Sequence, residues 1–352
     1  MKNRLEQWVE QALNGESLSM EEARTILNGS EIELLPLLHA AGQIRMKHHG
    51  RKVRLHQINN IQNGLCPEDC GYCGQSKNSQ QPLKQYVIKR EDEIVADAQN
   101  AKERGVFRYC MVASGRGPDE RQTDQLCRVV SRIRDEVGIR SCLSVGLVDE
   151  EQAKRFKEAG LDRLNHNLNT SEAHTPNIVT THTFEDRMNT LRAAESAGLS
   201  TCSGMIAGMG ETDDDVIEVG FKLCEMKVPS IPVNFLIPIE GNKVQDFGQL
   251  TPERCLRILC LFRFLNPAAE IRVGGGREGH LRGMQGLALY AANSLFVEGY
   301  LVTRGDGLEA VREMVEDAGF ELEGAPKGCC EKGQHFHLDG GESIMNPDTV
   351  RV

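Results

Sequence analysis

The sequence predicts an α/β fold, a (β/α)8 barrel of the TIM type. Strand-like runs alternate with polar–apolar helical stretches through most of its 352 residues. Marker residues on successive predicted strands are separated by 32, 23, 37, 32, 38 and 24 residues, roughly the spacing of a strand, a crossover helix and the next strand. The markers are Cys110, Cys142, Asn165, Cys202, Asn234, Arg272 and Phe296. This rhythm favours a barrel, and a doubly wound open sheet is the alternative.

The individual elements have their own signals. Eight predicted strands are short apolar runs near 53–61, 106–113, 141–147, 163–169, 200–207, 232–237, 271–274 and 294–298. Helix ends are marked by Ser19 with Glu22, Thr183 with Asp186, Thr251-Pro252, and the C-cap glycines Gly160 and Gly198. We therefore assign 1–50 to a helical lead-in, 51–323 to the barrel and 324–352, which lacks apolar periodicity, to an irregular tail.

Composition excludes several classes of function. A formal charge of −10 and a pI near 5.6 argue against nucleic acid or an acidic membrane surface as a partner. No apolar run approaches about 20 residues, so no membrane span is predicted. The first eight residues, Met1 to Trp8, lack an apolar signal core, which predicts a cytoplasmic, reducing compartment. In such a compartment, clustered cysteines are more often metal ligands than disulfides.

Three of the twelve cysteines lie in one short loop. Cys66, Cys70 and Cys73 are spaced C-x3-C-x2-C directly after a predicted strand. A structural zinc site or a ferredoxin-type cluster takes four protein ligands. Three thiolates can instead bind three irons of a [4Fe–4S] cluster and leave the fourth iron open for a small molecule. A zinc loop with a distant fourth ligand, or plain buried thiols, is the alternative.

Four further residues on separate strands form a second candidate metal site. Cys110, Cys142 and Cys202 lie at comparable depth on their strands, and neighbouring barrel strands bring inward side chains together. Arg272 lies on another strand, where a buried guanidinium requires an anionic partner such as a cluster. From spacing alone, cysteines that simply fill the core remain the alternative.

The predicted strand 163–169 carries an unusual polar face. Side chains alternate along a strand, so Asn165, Asn167 and Asn169 should point into the barrel, where an ordinary core has branched apolar residues. His166 belongs to the opposite set, and we expect it to be a structural histidine with its hydrogen bonds satisfied.

Longer motifs extend these observations. The C-x3-C-x2-C spacing resembles that of the radical S-adenosylmethionine (SAM) enzymes. The motifs are Cys66 to Gln75, Asn165 to Leu168, Cys202 to Gly204 with Gly208 to Thr212, Arg272 with Gly276 to Glu278, and Ala292 to Phe296. In this order, over roughly residues 30 to 320, they resemble the biotin synthase family. The resemblance implies conversion of dethiobiotin to biotin by radical SAM-dependent sulfur insertion.

The resemblance also implies ligand sets for two clusters. Cys66, Cys70 and Cys73 would hold a [4Fe–4S] cluster that binds SAM and reduces it. Cys110, Cys142, Cys202 and Arg272 would hold a [2Fe–2S] cluster that donates the sulfur. The implied partners are dethiobiotin, a low-potential electron donor such as flavodoxin or ferredoxin, and a second copy of the chain in a homodimer.

Further contacts follow by position in the family pattern. Arg187 would bind the SAM carboxylate, and the backbone of Ala113 and Ser114 its amino group. Tyr72 and Ile206 would lie beside the adenine. Asn167 and Asn234 match positions that hold the SAM ribose and the ureido ring of the substrate. Asn169 stands where many members have Asp, so an amide replaces a charged contact to the ribose.

Two other readings remain open at this point. Another radical SAM barrel, such as a hydrogenase-maturation or methylornithine-forming enzyme, would use only the first cluster. An iron–sulfur carrier would use the tail residues Cys329, Cys330, His335 and His337, although a disordered tail is the simpler expectation. The second ligand set argues against the first reading, and the asparagine lining with Arg187 against the second. On predicted helices, we expect Cys127, Cys224, Cys255 and Cys260 to fill the core.

Overall fold

The computed structural model describes residues 3–244, 250–301, 303 and 305–324. The strands are β1 Lys52–Gln62, β2 Arg108–Ala113, β3 Arg140–Ser144, β4 Arg163–Asn165, β5 Ser200–Cys202, β6 Met205–Ala207, β7 Ser230–Phe235, β8 Glu270–Val273, β9 Ser294–Val297 and β10 Glu321–Leu322. The helices are α1 Arg4–Asn14, α2 Met20–Leu27, α3 Leu34–His49, α4 Glu91–Glu103, α5 Glu120–Arg132, α6 Glu150–Ala159, α7 Thr175–Ile178, α8 Phe184–Ser196, α9 Asp213–Glu225, α10 Pro252–Leu265, α11 Arg277–Leu281 and α12 Leu308–Asp317. A π-helical turn, Ile133–Val137, follows α5, and a 3-10 segment, Arg282–Tyr290, follows α11.

The strands form a closed parallel barrel. β1 pairs with β2, and the order continues through β3, β4, β5, β7 and β8 to β9, which pairs back with β1. β6 takes over from β5 alongside β7, so eight positions surround the barrel axis within the described part of the chain. The predicted TIM-type barrel is confirmed, and the open-sheet alternative is wrong.

Two predicted strands differ clearly from the structure: the run 163–169 ends early, at Asn165 of β4, and the run 200–207 is divided. The run 200–207 is interrupted between β5 and β6 at Ser203-Gly204. A Cβ atom on Gly204 would lie 1.8 Å from the carbonyl oxygen of Pro232 on β7, so only glycine fits this close approach. The interruption turns one extended segment into two short strands on either side of that contact.

Helices α1, α2 and α3 precede the barrel and pack on its outer helices. The Trp8 ring lies edge-on to Phe264 of α10, with centroids 6.3 Å apart. Arg257 of α10 donates to the carbonyl oxygens of Ile26 and Ile32 at 3.1 and 2.6 Å. The capping boxes predicted at Ser19 and at Thr183 are both formed. Within the described residues, no helix is both long and apolar enough to cross a membrane.

The last described strand pairs with the N-terminal end of β1. β10 pairs with β1 outside the barrel, and Glu323 forms an ion pair with Arg54 at 2.8 Å. The predicted tail beyond Gly324, with Cys329, Cys330, His335 and His337, lies outside the described residues.

Candidate active site

A cavity of about 270 Å³ lies among the loops that follow the barrel strands. This is the end of the barrel at which TIM-type folds carry their active sites. It is lined by all eleven residues predicted to contact SAM, the substrate or the first cluster: Cys66, Cys70, Tyr72, Cys73, Ala113, Ser114, Asn167, Asn169, Arg187, Ile206 and Asn234. Residues separated by as much as 168 positions in the sequence, Cys66 and Asn234, are thus brought to one site.

The three-cysteine loop faces this cavity directly after β1. Gly64 donates its N–H to the Gln75 side chain at 3.0 Å, and the Gln75 N–H donates to the Cys73 sulfur at 3.4 Å. Burial raises the pKa of the Cys70 thiol to about 12, and it also raises the pKa values of the other two thiols. These thiols are therefore protonated at neutral pH unless a cation stabilises the thiolates.

The three-thiol donor set of this loop suits a cluster better than a single ion. Among the described residues, no three His, Cys, Asp or Glu side chains are arranged to hold one metal ion. In a [4Fe–4S] cluster each thiolate binds a different iron, so the sulfur atoms can stand further apart. Thiolate ligands also favour iron–sulfur clusters chemically.

Arg187 and its neighbours form the polar wall of the cavity. The guanidinium is buried and donates from Nη1 to the Asn167 carbonyl oxygen at 2.7 Å. Hydrogen bonding favours the Asn169 amide with its oxygen toward the Tyr72 hydroxyl at 2.5 Å and the Arg187 Nη1 and Nη2 at 3.2 and 3.3 Å. Asn169 has a φ of 69°, a left-handed conformation that Asn tolerates well. Because this acceptor is neutral, Asn169 does not cancel the charge of Arg187.

Ser114 and Asn234 are held by hydrogen bonds to neighbouring segments. The Ser114 N–H donates to the Gln62 carbonyl oxygen at 3.2 Å, and its carbonyl oxygen accepts from the Gln62 side chain at 2.6 Å. Asn234 donates to the Met205 carbonyl oxygen at 3.2 Å and accepts from the Gly275 N–H at 2.9 Å. A primary amide has two hydrogens and two lone pairs, so Asn234 keeps one donor and one acceptor position for a ligand.

The second set of predicted ligands lies one layer deeper in the barrel. Cys110 and Cys142 are register partners on the neighbouring strands β2 and β3. Arg272 on β8 reaches the sulfur of Cys202 on β5, with 3.6 Å from Nη1 to Sγ. All four are buried. Along the chain, a cavity-lining residue follows each of the four by two to four positions, at Val112, Ser144, Ile206 and Gly275. The four side chains therefore lie below the cavity.

A buried carboxylate that sequence reasoning missed organises this deeper layer. Glu270 is 2% exposed and lies 3.1 Å from Arg54 Nη1, 3.1 Å from His56 Nε2 and 3.3 Å from Arg163 Nη1. It also forms an ion pair with Arg272. Although burial opposes ionisation, His56 and the arginines hold the pKa of Glu270 well below its ordinary value. Its position two residues before Arg272 on β8 puts both side chains on one face, a signal the sequence contained.

The charges of the deeper layer fit an anionic group. Arg163 and Arg272 are almost fully buried, and Arg108 beside Cys142 is buried as well. Glu270 supplies one negative charge against these guanidinium groups. The Nε atom of Arg272 is buried and has no hydrogen-bond partner within the described residues. Three thiolates in a cationic chamber match the donor set and the charge of an iron–sulfur cluster.

The expectation for His166 is wrong. β4 ends at Asn165, so strand alternation does not extend to His166, and the ring borders the cavity. Its Nε2 is buried and has no hydrogen-bond partner among the residues that are described. Burial, together with the charges of Arg187 and His182, lowers the pKa of His166 well below its ordinary value.

Tyr300 is a further cavity residue that no motif pointed to. Burial raises its pKa, and so do Cys73 and Cys202, which belong to the two different ligand sets. The ring packs against Phe296, with the two ring centroids 5.5 Å apart. Of the remaining cysteines, Cys255 and Cys260 are buried on α10 as predicted, whereas Cys127 and Cys224 are only half-buried.

The comparisons with known proteins agree with this geometry. Residues 61–222 match the Radical SAM superfamily, and residues 232–321 match the Biotin and Thiamin Synthesis associated domain. A biotin synthase from Acaryochloris marina is 60% identical over 340 residues, covering 96% of this chain and 98% of that protein. The chain belongs to the biotin synthase family. A biotin synthase from Leptospira biflexa is 50% identical over 325 residues, 92% of each chain.

Solved structures of two other proteins share the fold of this family member. A methylornithine synthase superimposes with a TM-score of 0.78 at 20% identity and covers 90% of this chain and 97% of its own. The FeFe-hydrogenase maturase from Carboxydothermus hydrogenoformans gives 0.76 at 19% identity, covering 92% and 80%. As a radical SAM enzyme, the chain uses SAM and a [4Fe–4S] cluster.

Proposed function

We propose that this chain makes biotin from dethiobiotin, with a [2Fe–2S] cluster as the source of the inserted sulfur. The observation that carries the proposal is the pair of stacked ligand layers in one barrel. Three cysteines line the cavity, and three cysteines with an arginine lie directly below it. A radical SAM barrel with the first layer alone has no evident source of sulfur, so the deeper layer argues against such an enzyme here.

The two layers divide the chemistry between them. Cys66, Cys70 and Cys73 would hold the [4Fe–4S] cluster, and Cys110, Cys142, Cys202 and Arg272 the [2Fe–2S] cluster. When bound, these groups supply a low-potential electron, a hydrogen-abstracting radical derived from SAM, and sulfide. No acid–base pair is needed, because the cofactors carry the difficult steps.

The protein binds, orients and shields the reactants. The buried, uncancelled charge of Arg187 suits the SAM carboxylate, and the fixed backbone of Ala113 and Ser114 suits the amino group. Tyr72 and Ile206 would pack on the adenine. Asn167, together with the free amide positions of Asn234, would hold the ribose and the ureido ring. Enclosing the site between the two layers excludes water from a reactive radical.

Several features of the proposal concern other molecules. The electron donor would be a low-potential protein such as flavodoxin or ferredoxin. We also expect a homodimer, a cytoplasmic location and boundaries near residues 50 and 323 between lead-in, barrel and tail. These stay predictions.

The test follows the sulfur atom. The chain is reconstituted anaerobically with iron and with sulfide carrying a heavy sulfur isotope, which should give about six irons per chain in two spectroscopically distinct clusters. Dethiobiotin, SAM and a low-potential reductant are then added without free sulfide, and biotin and 5′-deoxyadenosine are measured by mass spectrometry. Heavy sulfur in biotin is the expected result. A single cluster type, or biotin containing only unlabelled sulfur, would refute the proposal.

A further inference from the structure

One histidine connects the three-cysteine loop to Arg187. The carboxylate of Glu68, which lies between Cys66 and Cys70, is 2.5 Å from His182 Nδ1. The other ring nitrogen, Nε2, is 2.6 Å from Arg187 Nη2. Glu68, His182 and Arg187 are all buried, so these contacts are shielded from water.

The partners of His182 define its hydrogen positions. An ionised carboxylate only accepts hydrogen bonds, and a guanidinium only donates them. His182 must therefore carry its hydrogen on Nδ1, donate it to Glu68, and accept from Arg187 at Nε2. This is the neutral Nδ1–H tautomer. Burial and the neighbouring Arg187 both lower the pKa of His182, which agrees with a neutral ring.

The segment that carries His182 is fixed to the three-cysteine loop by further hydrogen bonds. The Thr181 hydroxyl donates to Glu68 at 2.6 Å. Asp69 accepts the backbone N–H groups of Thr180 and Thr181 at 2.9 and 3.2 Å. The Gly71 N–H donates to the Ile178 carbonyl oxygen at 2.8 Å. The backbone of residues 178–182 and the cysteine loop thus form one unit, and the imidazole projects from it toward Arg187.

We propose that His182 is a positioning residue that holds the Arg187 guanidinium at a fixed place relative to the three-cysteine loop. The inference rests on the proposed role of Arg187 in binding the SAM carboxylate. Arginine has a long side chain, and ordering it on ligand binding costs affinity unless it is ordered beforehand. His182 orders one end of the guanidinium, and the Asn167 carbonyl oxygen orders the other.

A neutral acceptor is suited to this task. A carboxylate at the position of Nε2 would neutralise Arg187 and compete with the SAM carboxylate, whereas an imidazole accepts the hydrogen bond without adding charge. The carboxylate of Glu68 lies on the far side of His182 from Arg187. Its charge is paired with Arg116, at 3.0 Å. The guanidinium thereby keeps its charge for the ligand.

The matched variants are His182→Phe and His182→Gln. Phenylalanine keeps the ring but supplies neither donor nor acceptor. Glutamine has an amide nitrogen and oxygen separated by one carbon, as the two ring nitrogens are, so it can donate to Glu68 and accept from Arg187. Both variants are reconstituted with iron, and SAM binding is measured by equilibrium dialysis without reductant, so that no turnover occurs.

We expect His182→Phe to weaken SAM binding about tenfold, the loss expected for one buried hydrogen bond to a charged group, and His182→Gln to recover most of it. In turnover, the KM for SAM should rise in His182→Phe while kcat at saturating SAM stays within about threefold of the parent. Iron content and thermal unfolding are recorded for each variant. If His182→Phe does not take up iron, His182→Leu replaces it in the same comparison.

The outcomes separate the two proposals. If Arg187→Lys binds SAM as the parent chain does, the role of Arg187 itself is wrong. If Arg187→Lys loses SAM binding but the iron-loaded apolar variants of His182 bind SAM normally, the positioning role of His182 is overturned. Equal losses in the glutamine and apolar variants would also overturn it, because the hydrogen-bonding pattern would then be irrelevant.

Discussion

The buried carboxylate of Glu270 faces three guanidinium groups and one imidazole, and Glu270→Gln removes its charge while keeping its shape. The three arginines differ in how much ion pairing each loses when the carboxylate is removed. Arg54 keeps its second ion pair with Glu323 and is 28% exposed, so it loses little. Arg163 and Arg272 are 8% and 2% exposed, and each would keep a buried charge without its carboxylate. The cost of the substitution therefore arises mainly from these two residues.

The magnitude follows from this comparison. Removing one partner of a buried ion pair costs about 3–5 kcal/mol. The glutamine oxygen still accepts a hydrogen bond from one guanidinium, so we expect the lower end, a loss of about 3 kcal/mol in the free energy of unfolding. Glu309, whose side chain is 78% exposed and pairs with Arg312, provides the control, since ion pairs of solvent-exposed carboxylates are worth about 0–1 kcal/mol.

The assay is guanidinium unfolding of the cluster-free chain, kept anaerobic with a chelator and followed by far-ultraviolet circular dichroism. Fluorescence is less suitable, because Trp8, the single tryptophan, lies on α1 outside the barrel. Glu270→Gln should unfold at a clearly lower denaturant concentration, whereas Glu309→Gln should be nearly unchanged. If Glu270→Gln unfolds with the parent, the carboxylate does not compensate the buried arginines, and the electrostatic account of the deeper layer is wrong.

Two further predictions address the deeper layer and the N-terminal helices. Cys202→Ala should lose about two of about six irons and should no longer form biotin, but it should still cleave SAM. The control Cys260→Ala, which removes a buried thiol on α10, should keep its iron content, biotin formation and SAM cleavage. Iron analysis and product mass spectrometry check both variants. Normal biotin formation by Cys202→Ala would contradict the assignment. Burial and the neighbouring Arg263 lower the pKa of His49 to about 3. Near neutral pH, His49 therefore binds a proton only in the unfolded chain, so the free energy of unfolding should fall as the pH drops below about 6.5. His49→Gln should reduce that fall in urea unfolding between pH 7 and pH 5, and an unchanged pH dependence would contradict the burial argument.

The barrel was predictable because its signals are local and repeated. Strand runs, capping boxes and the spacing of Cys110, Cys142 and Cys202 each depend on short stretches of sequence, and all point to one topology. The break at Gly204 was not predictable, because it results from an approach to Pro232 on another strand. The orientation of His166 was wrongly predicted for a similar reason. Side chains alternate between the two faces only within a strand, and β4 ends at Asn165, one residue earlier.

Some residues of the candidate site could be recognised in the sequence, and others only in the folded structure. The cysteine loop and the asparagine-rich segment are visible in the sequence, because unusual residue types stand at regular spacing. Glu68 and His182 carry no such pattern, and they are 114 positions apart. They become significant only when the fold places the loop after β1 against the segment before α8. Glu270 is intermediate, since its spacing from Arg272 was informative but an acidic residue in a strand has many ordinary explanations.

The two layers also explain why arginine suits the deeper site. A fourth cysteine at position 272 would add a negative charge, and Glu270 below it would then face one cation fewer. Arg272 instead contacts Cys202 and Glu270, and its guanidinium carbon lies over the Phe296 ring, 5.1 Å from the ring centre. A side chain held from three directions keeps its place when its neighbours change. If the proposed [2Fe–2S] cluster gives up its sulfur, an arginine held by Glu270 and Phe296 rather than by the cluster would preserve the site for the next cluster.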